Sequence, residues 1–132
     1  MKLNEICPIC YKEPGSHSFE KLCEISGVCM IYTKPSQAKK YRDQAGILQH
    51  VDNMLASLGE KQWSWTIDGE GFSFKHAIEV GTIQKIIEII KKKYMKTLLR
   101  IKVVNMNNAL KHMYVLIKSF VGKELDTKIV WE

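Results

Sequence analysis

The alternation of apolar and polar positions is sharpest at Trp63-Ser64-Trp65-Thr66-Ile67, where every second residue is apolar. That is the period of a pleated strand with one buried face. The strand ends in Asp68-Gly69-Glu70-Gly71, whose two glycines suit a turn. Val28-Cys29-Met30-Ile31-Tyr32 is a continuous apolar run, the pattern of a strand buried on both faces, closed by Pro35. Leu98 to Asn105 predicts another strand, with Leu99, Ile101 and Val103 facing one way and Arg100 and Lys102 the other. Lys128 to Trp131 predicts a last one.

Between these runs the apolar spacing changes to steps of three and four. Tyr41, Ala45, Leu48, Val51, Leu55 and Leu58 predict a helix over 36–58, with Ser36 as N-cap and Gly59 as stop. Lys39, Lys40 and Arg42 would then lie on its first turns, against the helix dipole. Ile78, Ile83, Ile86, Ile87 and Ile90 predict a second helix over 75–93, with His76 as a capping or surface side chain. Lys91-Lys92-Lys93 complement the C-terminal dipole of that helix. Leu110, Met113, Tyr114, Ile117, Phe120 and Val121 predict a third, entered through Asn105 to Asn108 and stopped by Gly122. Strand and helix alternate, which predicts an α/β fold with a mostly parallel β-sheet and crossover helices.

Composition narrows the picture little. The chain has 132 residues, 45% of them hydrophobic, enough for one packed core. No apolar run approaches the roughly 20 residues of a membrane span, and no apolar leader opens the chain. The expectation is a cytoplasmic protein. The net charge of +6 suits an anionic partner or simply keeps the chain soluble.

All four cysteines fall in the first quarter of the chain. Cys7-Pro8-Ile9-Cys10 has the spacing of half a zinc knuckle, and His17 and Cys23 would complete four ligands. The competing reading is a reduced tail with incidental thiols and no cofactor. Residues 1–18 are accordingly taken as an N-terminal tail or clip, and 19–132 as the folded domain.

Nothing in the sequence promises catalysis. No Gly-x-Gly-x-x-Gly, Walker or Gly-x-Ser-x-Gly motif occurs, and Asp68 and Glu70 fit a plain strand-to-helix turn as well as an acid–base pair. Trp63 and Trp65 fit a core better than a nucleic-acid stacking platform. The expectation is a binding protein with no nucleic-acid partner.

The segments Trp65 to Phe72, Tyr94-Met95-Lys96-Thr97-Leu98, Ile101-Lys102-Val103-Val104-Asn105, Leu116 to Val121 and Thr127-Lys128-Ile129 follow one another in an order that resembles the CRAL-TRIO lipid-binding family. The resemblance covers about residues 19–131 and departs from the family pattern at two motif positions. Lys96 stands where the family's "Y-P-E" motif has glutamate, and Ser119 where its gate motif has proline. The resemblance implies a sheet flooring an apolar cavity, with the helix at 107–121 as its gate. It implies an apolar site at Trp63, Trp65, Ile101, Val103, Tyr114, Ile117, Phe120 and Val121. Lys96, Arg100, Lys102 and Lys128 would meet a lipid head group. The implied partner is a lipid or phospholipid, with peripheral membrane contact. The alternative is a protein-interaction module on the same fold, whose exposed stripe meets a protein partner or a second copy as a homodimer.

Overall fold

In the computed structural model, which describes residues 3–132, five strands form one sheet in the order β1-β2-β3-β4-β5. They are β1 (Glu20–Ile25), β2 (Val28–Thr33), β3 (Gln62–Asp68), β4 (Leu98–Val104) and β5 (Ile129–Trp131). The last four run parallel and β1 is antiparallel to β2, so the sheet is mostly parallel as expected. The helices are α1 (Leu3–Ile6), α2 (Pro8–Lys12), α3 (Gln44–Ser57), α4 (Phe74–Ala77), α5 (Val80–Ile89) and α6 (Asn108–Asp126).

The sequence pattern does not reveal β1, because all six of its residues are exposed and no face of it is buried. Ser26 and Gly27, with φ of 51° and 80°, make the two-residue turn that joins β1 to β2. Positive φ at both positions is what a type I′ hairpin turn requires. Glu20, Lys21 and Glu24 lie along this edge, where charge discourages pairing with a further strand.

One face of the sheet carries the core. Cys29 and Ile31 of β2, Trp63 and Trp65 of β3, and Ile101 and Val103 of β4 are all buried there, beneath α3, α5 and α6. β2 is therefore buried on one face only, not on both. Its other side, with Val28, Met30 and Tyr32, is half-buried and lies on the face that carries exposed Arg100 and Val130. The expected alternation on β4 fails at Leu99, which is 43% exposed. The register slips there, so that Trp63 pairs with Leu98 and Ser64 with Arg100. Leu98 faces inward in Leu99's place.

The predicted helix over 36–58 begins later. Pro35–Gln37 is a 3₁₀ turn, and the amides of Lys39 and Lys40 donate to Gly15 O (2.9 Å) and Ser16 O (2.7 Å). Those bonds tie the segment to the N-terminal region instead of to a helical ladder. Asp43, not Ser36, caps α3, accepting from Gly46 N at 3.2 Å. Lys39, Lys40 and Arg42 thus precede the helix and do not lie on its first turns, Lys40 pairing with Glu13 and Arg42 with Glu79. The second predicted helix divides at Ile78, which is 67% exposed, into α4 and α5. His76 caps α4, its Nδ1 accepting from Ser73 N at 3.0 Å. A π-helical turn, Ile90–Tyr94, follows α5 and carries the three lysines.

The Asp68–Gly71 turn is a structural junction. Asp68 accepts from Tyr32 Oη (2.5 Å), Asn105 Nδ2 (2.8 Å) and Glu70 N (2.9 Å), and Glu70 pairs with Lys34 at 2.9 Å. Asn107 caps α6 through Leu110 N (3.0 Å) and donates to Gly69 O at 2.8 Å, locking the start of α6 onto the end of β3.

Residues 3–18 are packed against the rest of the chain. Ile6, Cys7 and Cys10 belong to the same buried cluster as the sheet, and Asn53 of α3 donates to Ile6 O at 3.0 Å.

Candidate functional site

The parallel strands, α5 and α6 line a partly open apolar cavity of about 100 Å³. Trp65, Ile101, Val103, Tyr114, Ile117 and Val121 line it, six of the eight residues expected for an apolar site. Ile67, Ile83, Ile87, Met113, Ile129 and Trp131 are also in the wall. The hydroxyl of Thr33 in this wall accepts from Trp65 Nε1 at 2.8 Å. Tyr114 points its hydroxyl to Asp126, and its ring meets Trp131 edge-on at 4.7 Å, joining α6 to β5.

Two expected residues are elsewhere. Trp63 is buried, but its indole is held by Thr97 Oγ1 (3.2 Å) under the start of β4, away from the cavity. Phe120 is 44% exposed, on the outer side of α6. The helical period places it one residue beyond the buried stripe that Ile117 and Val121 define.

A second cavity of about 120 Å³ adjoins the first and shares Thr33, Pro35, Trp65, Ile83 and Met113 with it. Thr82 of α5 lines this second space, and its buried Oγ1 has no hydrogen-bond partner among the described residues. Both spaces are smaller than the roughly 300–1,000 Å³ of an open ligand pocket. The architecture is that of a small, partly open apolar cavity under a helix.

The four expected head-group residues do not converge. Lys128 Nζ donates to Met95 O (3.0 Å) and Leu98 O (2.7 Å), fastening the turn before β4. Lys102 pairs with Glu132 at 3.3 Å on the open sheet face, where Arg100 is also exposed. Lys96 instead joins a basic groove of about 620 Å³ with Lys91, Lys92, Lys93 and Lys123. Strand alternation alone could not place these residues, because the π-helical turn and the end of α6 bring the lysines together. Lys93 is paired with Asp52 (2.9 Å) and Lys91 donates to Phe120 O (3.0 Å), whereas Lys92, Lys96 and Lys123 carry no ion pair among the described residues. Val121 lines both this groove and the first apolar cavity, so the two adjoin where α6 kinks at Gly122 (φ 78°, ψ 161°).

The cysteines also regroup. Cys23 lies exposed on β1, away from the other three residues expected as ligands. Cys7, Cys10 and His17 are buried together, and the fourth residue beside them is His50 of α3. Their donor atoms lie within 4.8 Å of one another. Burial pushes the Cys10 thiol up to about 11 and holds the His50 imidazole below its ordinary value. His50 carried a sequence signal of its own: a polar residue on the face that Ile47, Val51 and Met54 make apolar.

No helix among the described residues is long and apolar enough to cross a membrane. The family model of the CRAL/TRIO domain matches residues 6–131, nearly the whole chain. The crystal structure of Sfh5 superposes on 86% of this chain with a TM-score of 0.71 at 15% sequence identity. This chain spans 46% of the length of Sfh5. Comparison with curated protein sequences gives no match. The match over residues 6–131, with the cavity beneath α6 and the likeness of fold, makes this chain a member of the CRAL/TRIO domain family, whose domains bind lipophilic ligands.

Proposed function

We propose that this domain binds a phospholipid non-covalently, its acyl chain under α6 and its phosphate in the basic groove beside Gly122. The observation that carries this reading is the position of Val121, which is shared by an apolar cavity and by a groove where Lys92, Lys96 and Lys123 carry no ion pair among the described residues. An apolar chain gains about 25 cal/mol for each Å² removed from water, and a phosphate gains charge-assisted hydrogen bonds from Lys92, Lys96 and Lys123. A cavity of about 100 Å³ admits a chain only when α6 moves outward, and the kink at Gly122 is where the helix is already interrupted.

The outer side of α6 extends the reading. Val115, Leu116 and Phe120 are exposed, with Lys111 and Lys118 on the same helix. This is the pattern of a helix that rests in the interface of an anionic membrane. A protein partner or a second copy on that stripe is the alternative.

Delipidated protein is incubated with vesicles of phosphatidylcholine and phosphatidylinositol, separated from them, and read by native mass spectrometry. One phospholipid mass should be retained per chain. Met113→Trp, which fills the wall shared by both cavities, should cut retention by about tenfold or more, ~1.4 kcal/mol, while near-ultraviolet circular dichroism stays native. A wild-type chain that retains no lipid overturns the proposal.

A further inference from the structure

We propose that Cys7, Cys10, His17 and His50 form a structural zinc site that clasps the N-terminal segment to α3. The site borders the second apolar cavity, whose wall includes His17 and His50, but its argument does not rest on the lipid reading.

The four side chains come from separate places in the chain. Cys7 precedes α2 and caps it, its sulfur accepting from Cys10 N at 3.3 Å. Cys10 lies on α2, His17 on the loop before β1, and His50 on α3. All four are at most 5% exposed.

The orientation of the two imidazoles is the one a metal site requires. His50 Nε2 lies 2.8 Å from Phe19 O, and His17 Nε2 lies 2.8 Å from Asp43 Oδ2. Each partner is an acceptor, so each Nε2 carries the proton and donates. In a neutral imidazole the other nitrogen is then a bare lone pair. Both bare nitrogens point at the sulfurs. His17 Nδ1 lies 3.4 Å from Cys7 Sγ and 3.5 Å from Cys10 Sγ, and His50 Nδ1 lies 3.6 Å from Cys10 Sγ. Zinc bonds of about 2.3 Å to sulfur and 2.0–2.1 Å to nitrogen, at tetrahedral angles, give a sulfur-to-nitrogen edge of about 3.6 Å. These three edges match it, and all four donor atoms lie within 4.8 Å of one another.

The donor set selects the ion. Two thiolates and two imidazoles in a tetrahedral arrangement suit zinc, whereas magnesium and calcium need oxygen. The Asp43 carboxylate and the Phe19 carbonyl are the outer partners that ordinarily orient metal-bound histidines. All four positions are filled by protein groups, so the site is closed, which is the structural type and not the catalytic one. A groove of about 490 Å³ reaches Cys10, His17 and His50 and gives the ion a path in.

Binding would release the two thiol protons as the sulfur–zinc bonds form, with no change of oxidation state. It would hold residues 3–18 against α3 and position Phe19 at the start of the sheet.

The test uses the full chain, expressed with added zinc and assayed by elemental mass spectrometry. Close to one zinc per chain is expected. Cobalt in place of zinc should give the visible absorption of a tetrahedral thiolate site. Cys10→Ser and His50→Ala should lose the metal, while Cys23→Ser should keep it in full. Asp43→Asn, which preserves a good helix cap, should weaken zinc binding by about 10–100-fold. Should the ligand variants fail to fold, metal analysis and chelator titration of the wild-type chain still decide. Wild-type protein that carries far less than one zinc after reconstitution, or a Cys7–Cys10 disulfide formed in its place, overturns the proposal. So does loss of zinc from Cys23→Ser.

Discussion

Asp68 shows how much one carboxylate can organise. Hydrogen bonds from Asn105 and Tyr32 hold its carboxyl below the ordinary aspartate value, although burial opposes them. The same contact pushes the Tyr32 phenol up to about 12. A depressed carboxylate stabilises the fold fully above the unfolded-state pKa of about 3.9, and that contribution fades as pH falls through the lower folded value. Asp68→Asn should therefore cost about 1.5–3 kcal/mol at pH 6, the range for hydrogen bonds to a charged group. Urea unfolding should show the gap between variant and wild type narrowing as pH drops below about 4. A gap constant from pH 6 to pH 3 would contradict it. The residue scale also shows what patterning misses. Cys7, Cys10 and His17 are near in sequence and were legible as a group, whereas His50 is 33 positions beyond His17 and sits in a helical stripe. Cys23 resembled a ligand only because it was near in the chain. A strand that exposes every residue carried it outward.

The two helical glycines of α5 and α6 make opposite demands. Gly122 has φ 78° and ψ 161°, a region that essentially only glycine enters, and a Cβ there would lie 3.0 Å from Lys91 Nζ. Gly81 lies in α5 with open space around its would-be Cβ. Gly122→Ala should thus destabilise the domain by about 1–3 kcal/mol. Gly81→Ala should stabilise it by about 0.4–1 kcal/mol, chiefly by restricting the unfolded chain. Thermal unfolding of both variants checks the signs, and equal shifts in one direction would refute the assignment of Gly122 as a backbone-determined kink. Elements with a strong period were legible here. β3, the third helix and the parallel order follow from spacing and alternation. The start of α3 did not, because amides at Lys39 and Lys40 are claimed by Gly15 and Ser16, a tertiary contact without local signature. The same blindness hid the basic groove, since its lysines converge from two elements.

At the scale of the whole molecule, the net charge of +6 is unevenly used. Lys34, Lys93 and Lys102 have carboxylate partners, and Lys128 is absorbed by two carbonyls. Lys92, Lys96 and Lys123 are left at a groove beside the kink, next to a helix whose outer side exposes Val115, Leu116 and Phe120. Like charges held together repel, Glu124 offsets only part of that in the groove, and on the proposed reading an anionic surface would offset the rest. The apolar stripe and the groove would act in sequence: charge brings the domain to the membrane, and the stripe seats α6 in it. Lys92→Glu combined with Lys96→Glu and Lys123→Glu should abolish sedimentation with vesicles containing phosphatidylserine. Leu116→Glu should weaken it with the charges intact. Wild-type binding should fall steeply between 0.05 and about 0.3 M salt, because exposed charges are screened within a Debye length of about 10 Å at 0.1 M. A protein-binding module would behave differently: its stripe would be needed for a partner, and vesicle binding would be absent or indifferent to both charge reversal and salt. Association that persists unchanged through all of these would show that the groove does not face a membrane.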